Sequence, residues 1–165
     1  MQKFQIARKE ALSKIRAADH MLTQTYPKLG DNKILIAVLS NIITGVEQTM
    51  TAILQYDRAF HKIPPFHDTF QSKLHLFKNT SAGIHKLTQF LPFLANINNF
   101  DEKHKRSLVE FSKSDSYVIC DDDYKMSKIT AKDLKKYIDE AKSFYMKAAE
   151  ITSENEEIFN LEAGD

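Results

Sequence analysis

Residues 33–60, KILIAVLSNIITGVEQTMTAILQYDRAF, are the most apolar stretch of this 165-residue chain and contain no proline. Ile34, Leu35, Val38, Leu39, Ile42, Ile43, Val46, Met50, Ile53, Leu54 and Phe60 recur there at helical spacing. A helix of that length runs about 42 Å, so it predicts a central spine against which other segments lay their apolar sides. Gly45 lies inside it, at a cost of about 1 kcal/mol relative to Ala, which predicts the close approach of another helix.

Amphipathic segments surround the spine. Phe4, Ala7, Ala11, Ile15, Ala18 and Leu22 step by three or four and predict a first helix from Phe4 to Tyr26, ended by Pro27 and Gly30, with Asp31 or Asn32 capping the spine. Pro64 and Pro65 remove two amide donors and must break the chain after the spine. Asp68 followed by Gln71 suggests the cap of a third helix bearing Phe70, Leu74 and Phe77, with Asn79 to Gly83 as a turn. Ile84, Leu87, Phe90, Leu91 and Leu94 mark a fourth helix, bent or interrupted at Pro92, and Asp101 caps a short basic fifth with Leu108, Val109 and Phe111. SYVIC, DDD and YKMSKI then predict a β-hairpin excursion near residues 116–129, which must lean on the helices because a lone ribbon is barely stable. Thr130 with Asp133 is a capping box opening a last helix striped by Leu134, Tyr137, Ile138, Ala141, Phe144, Ala148 and Ile151.

The expected class is therefore all-α: an antiparallel helical bundle of about five to six helices with that small hairpin. Residues 1–152 form one domain, and the acidic residues 153–165 are expected to fray as a tail. Four Gly and four Pro argue against a sandwich or a low-complexity chain, and 42% hydrophobic residues against disorder. The single Cys120 excludes an internal disulfide or a Cys-based zinc cluster. MQKFQIARKEALSKIR lacks the apolar core of a secretion signal, and no stretch approaches 18 uncharged apolar residues, so a cytoplasmic chain without a membrane span is expected.

The net charge of +1 conceals an asymmetry, with 16 Lys/Arg against 9 Asp/Glu in residues 1–113 and 7 against 13 thereafter. A basic body attracts phosphates, and an acidic end competes for the same surface. Lys103, His104, Lys105 and Arg106 make the best basic patch, although neighbours on a helix fan over different faces. Phe66 and His67 beside the double proline complete the candidate binding set, Phe66 and Phe70 serving either as a lid over the core or as a base-stacking platform. Phe60, Ile63, Phe66 and Phe70 would wall a small-molecule pocket at the loop if they do not pack on the spine.

No metal or other cofactor is expected. His61, His67, Asp68 and His75 flank the loop, but their spacing matches no zinc signature. Asp121, Asp122 and Asp123 lack the glycine and the glutamate of a calcium loop. Glu47, inside the spine, predicts a structural pairing with a cation; Asp57 is the other acidic residue in that stretch.

The opening ARKEALSKIRAADHML, two long helices, a shorter pair after a PP-containing loop and a closing helix together resemble the HEPN family of small helical-bundle proteins, over residues 5–150. The resemblance implies a homodimer associated with RNA cleavage or with holding a nucleotide-handling partner. Ribonuclease members carry an Arg followed a few residues later by a His near the start of the last long helix, the Arg for phosphate charge and the His for proton transfer. This chain departs from that pattern: its nearest pairs, Arg16 with His20 and Arg58 with His61, lie on early helices, and the helix from Ala131 has no His. These four are the candidate catalytic residues. The sequence thus points to a non-catalytic, homodimeric interaction domain binding a protein or RNA partner, with a divergent metal-independent HEPN-type ribonuclease as the alternative.

Overall fold

The spine forms as a single helix, α3, from Lys33 to Ala59. The computed structural model describes residues 1–107, 109–113 and 116–162, which are mostly helical with a small antiparallel sheet. Asp31 Oδ1 accepts a hydrogen bond from the Lys33 amide at 2.9 Å, supplying one of the acceptors that the first turn lacks. Leu35, Val38, Leu39, Ile42, Val46, Met50, Ile53 and Leu54 are all fully buried. Each such side chain contributes about 1.5–3 kcal/mol on leaving water, which makes this face the main source of stability. By length and composition α3 passes as a membrane-crossing helix, the one described helix that does; here its apolar side is covered by α1, α4 and α7.

Helix α1 (Lys3–His20) lies antiparallel on α3, with Phe4 edge-on to Tyr56, Ile15 against Gly45 and Met21 beside Asn41. A Cβ built on Gly45 would stand 2.8 Å from Ile15 Cγ1, so the glycine is where the two helices come closest, as its place in the spine predicts. The first helical run is not uniform. It passes through a wider π turn at Met21–Thr25 into the short α2 (Tyr26–Leu29), which admits Pro27 in its first turn, and ends at Gly30 with φ +62°.

Beyond the double proline, α4 (Phe70–Asn79) is capped by Thr69 and not by Asp68: Thr69 Oγ1 accepts from the Ser72 amide at 3.2 Å. The turn expected at Asn79–Gly83 contains the short α5 (Ser81–Ile84). The expected fourth and fifth helices are largely one, α6 (Leu91–Lys105), preceded by a 3-10 turn. Pro92 sits in its first turn, where no amide donor is needed, so it does not interrupt the helix. Asp101 is interior, pairing with Lys105 one turn on at 2.9 Å.

The remainder of the expected fifth helix is a strand. β1 (Val109–Lys113) takes Val109 and Phe111, while Leu108 falls outside the described residues. β1 pairs with β2 (Ser116–Cys120), which pairs with β3 (Met126–Thr130), so the hairpin gains a third strand. Asp121 Oδ1 accepts from the amides of Asp123 and Lys125, which makes the aspartate run the nucleus of the β2–β3 turn. Tyr117, Ile119 and Ile129 face the core.

Thr130 and Asp133 exchange both bonds of a capping box at 3.1 Å, opening α7 (Ala131–Ser153). Its apolar stripe packs Phe144 against Phe77 and Phe90. Where a fraying tail is expected, the chain turns at Glu154 and Asn155 into α8 (Glu156–Glu162), and Phe159 packs on Phe4 and Phe60.

Candidate functional site

The double-proline loop borders two concavities. On one side a groove of about 390 Å³ has a floor made by Gln48, Thr51 and Gln55, which fall on one stripe of α3. Lys3, Ile6 and Ala7 of α1 form one wall, and Phe66, Asp68 and Lys73 the other. The floor is polar because this is the side of α3 that no helix covers, and the Gln48 and Gln55 amides have no hydrogen-bond partner among the described residues. On the far side of Phe66 a cleft of about 490 Å³ is lined by Pro65, His67, Gln71, Ser72, His75 and Leu76. Phe66, half-buried, is the ridge that the two share.

Lys73 anchors the groove. Its side chain is 1% exposed, with Nζ 3.0 Å from Glu47 Oε1 and 2.6 Å from Asp68 Oδ1. Glu47 has therefore found the cationic partner that its place in the spine demands. Asp68 is 95% exposed, and the hydrogen bond and charge of Lys73 hold its carboxyl below the usual range. The groove thus offers amides that both donate and accept, two apolar walls from Ile6 and Phe66, and a fixed carboxylate at its rim.

A second buried charge closes the end of α3. Asp57 is 0% exposed; Oδ2 accepts from Ser81 Oγ at 2.6 Å, and Oδ1 lies 2.7 Å from His85 Nε2. Sequence reasoning missed Ser81 and His85. The one available signal was Asp57 itself, a carboxylate on the apolar spine that needs donors it cannot find locally. The order of contacts, serine to carboxylate to imidazole, leaves Ser81 oxygen on the wrong side for an imidazole to activate it, so this is a structural clasp and not a nucleophile.

The four candidate catalytic residues are not brought together. Arg16 and His20 share an exposed face at one end of the α1–α3 pair, Arg58 and His61 are exposed at the other, and about 25 Å of helix separates them. None of the four side chains has a hydrogen bond or ion pair among the described residues. A general base or a phosphate clamp needs an orienting neighbour, and these lack one.

The basic run is occupied within the chain. Lys103 Nζ donates to Ser127 Oγ at 3.0 Å, His104 Nδ1 lies 2.6 Å from Glu110 Oε1, Lys105 pairs with Asp101, and Arg106 stands 4.0 Å from Asp122. Lys103, His104 and Arg106 tie the end of α6 to the sheet and its β2–β3 turn, while the Lys105 pair lies within α6. Glu110 also accepts from Ser107 at 2.7 Å and Tyr117 at 3.1 Å; burial pushes its carboxyl up, but those bonds and His104 outweigh it and hold it low. The walls proposed for a small-molecule pocket disperse: Ile63 and Phe70 are buried in the core, Phe60 stacks on Tyr56, and Phe66 alone faces the clefts. Asp121, Asp122 and Asp123 are the only metal-competent group of three among the described residues, with Asp121 already committed to its turn.

No family model matches the chain, and no curated protein or solved structure is detectably similar to it.

Proposed function

We propose that this chain is a non-catalytic helical-bundle interaction domain, homodimeric and cytoplasmic, that holds a segment of a protein partner in the groove between α1, α3 and the double-proline loop. The observation that carries this reading is the uncovered polar stripe Gln48–Thr51–Gln55 set between the apolar walls of Ile6 and Phe66. Side-chain amides that donate and accept complement a main chain, and apolar walls complement alternate side chains. Protein is favoured over RNA because two of the four residues of the best basic run, Lys103 and His104, are engaged by Ser127 and Glu110, and the other two lie beside the carboxylates of Asp101 and Asp122.

The test is a peptide library displayed on phage and panned on the purified protein, with labelled tRNA and mRNA incubated in parallel with and without EDTA. Selected peptides are expected to lose about tenfold in affinity on Phe66→Ala or Gln55→Arg, and the RNA to remain intact. RNA cleavage abolished by His61→Ala or His20→Ala would replace this reading with the divergent HEPN-type ribonuclease. RNA retarded at low salt and released by Lys103→Ala with Arg106→Ala would make the partner a nucleic acid.

A further inference from the structure

Helix α8 occupies a seat built by other parts of the chain. Glu156 Oε1 lies 2.6 Å from Arg8 Nη2 and accepts from Gln5 Nε2 at 2.9 Å, while Arg8 Nη1 also reaches Thr152 Oγ1 at 3.1 Å. Burial raises the Glu156 carboxyl, but the bonds from Arg8 and Gln5 outweigh it and hold it low. Phe159 stands edge-on to Phe4 at 5.1 Å and to Phe60 at 5.6 Å, closing an aromatic cluster that includes Tyr56. The seat is larger than its occupant: beside α8 a cleft of about 520 Å³ remains, bounded by Gln2, Lys9, Leu12 and Tyr145.

The joint between α7 and α8 is two residues long and strained. Glu154 is extended, and Asn155 takes φ +58°, in the left-handed region that asparagine enters more readily than other non-glycine residues but still at a cost relative to glycine. No proline or glycine forces the break. The buried stripe of α7 passes through Ala141, Ala148 and Thr152, and Phe159 falls seven residues after Thr152, in the same phase. With Asn155 in the right-handed region α7 continues straight through residue 159, carrying Glu156 and Phe159 off the end of their own body and leaving Phe4, Phe60 and Arg8 uncovered. A seven-residue helix on a short strained hinge is the arrangement that favours exchange between copies.

We infer that α8 is exchanged between two copies of this chain, the Glu156 and Phe159 of each docking on the Arg8, Gln5, Phe4 and Phe60 of the other. The inference rests on the homodimer proposed above and specifies how that dimer is made. The charges complement: Glu156 meets Arg8 in an otherwise basic first half.

Charge reversal in two halves tests it. Arg8→Glu and Glu156→Arg each place like charges at the contact, within one copy or between two identical copies. Mixed and co-refolded, they restore opposite charges only where one copy's α8 sits on the other's seat. Light scattering is expected to find each variant monomeric alone and the mixture dimeric; a mixture that stays monomeric while the wild type is dimeric overturns exchange. Should either variant fail to fold, as judged by helical circular dichroism, the hinge decides: Asn155→Ala is expected to raise the dimer-to-monomer ratio about tenfold over Asn155→Gly. Equal ratios overturn exchange. A dimer that survives truncation after Ser153 also overturns it while sparing the homodimer, whereas a wild type monomeric at every concentration removes both.

Discussion

Two buried ionic groups flank the spine and differ in how they meet water. At Asp57 the carboxylate is sealed, both oxygens engaged by Ser81 and His85. At Lys73 the ammonium is as deeply buried, yet one of its two carboxylate partners, Asp68, stands almost wholly in solvent at the rim of a groove. The sealed group can only hold the fold. On the function proposed above, the open one couples the fold to the segment held in the groove, because displacing Asp68 or adding a donor to it changes the environment of a lysine locked in the core.

The sharpest way to break that distinction is Asp57→Ala. It strands the Ser81 hydroxyl and the His85 imidazole beside a cavity, and the expected loss is about 3 kcal/mol, read as a fall in Tm of about 10 °C by circular dichroism. Lys73→Met fills the same space without the charge; Asp68 is hydrated already, but Glu47, with only 24% of its side chain exposed, is left partly buried without its cation, so the expected loss is about 2 kcal/mol. Equal losses from the two variants would mean that Asp68 is not free to take water in place of the lysine. Gly45→Ala separates charge from packing: the added methyl meets Ile15 and strains the α1–α3 contact, which outweighs the gain in helix propensity and leaves a net loss of about 1 kcal/mol by urea titration.

A smaller effect appears with pH at Glu110. Its carboxyl is held below the usual 4.5 by Ser107, His104 and Tyr117 against the opposing pull of burial. A depressed folded value means stability that is full above that pH and lost as pH falls through the lower one. Wild type should therefore melt above Glu110→Gln at pH 6, and the gap should narrow as pH falls below 4.5. A gap that does not narrow in acid would show that the ionised carboxylate is not what stabilises the fold there.

These residues also show what the sequence made legible. Local pairings could be read: Thr130 and Asp133 are three apart and form the box that their spacing predicts, and the spine follows from periodicity alone. Gly45 was readable because glycine in a buried helix interior has few other uses. Pairings across the chain were not. Asp57 finds Ser81 and His85 only after the double-proline loop has run back along the spine to the level of Glu47 and α4 has returned toward its end, and no local pattern announces residues that distant. Val109 and Phe111 are expected in the fifth helix, yet they stand two apart, the spacing of a strand, and β2 offers the partner edge that makes them one. Phe159 was hidden by acidic neighbours that look solvated until Arg8 is brought beside Glu156. In the groove, Phe66 was legible as an apolar residue in an unusual place, whereas the polar floor on α3 was not, since glutamines on a helix ordinarily face solvent.

The least effect should come from an ion pair exposed on both sides. Lys135 Nζ lies 3.2 Å from Asp139 Oδ1 one turn along α7, with both side chains more than half in solvent. Water screens the attraction, ordering two mobile side chains offsets it, and the cation precedes the anion, the less favourable order against the helix dipole. Lys135→Ala should change stability by less than about 0.5 kcal/mol at low salt, and the difference should vanish at about 1 M salt, where the screening length shrinks to about 3 Å. A loss comparable with that of Lys73→Met would mean that burial does not decide which ion pairs in this protein matter, and the contrast between the sealed and the open cluster would lose its physical basis.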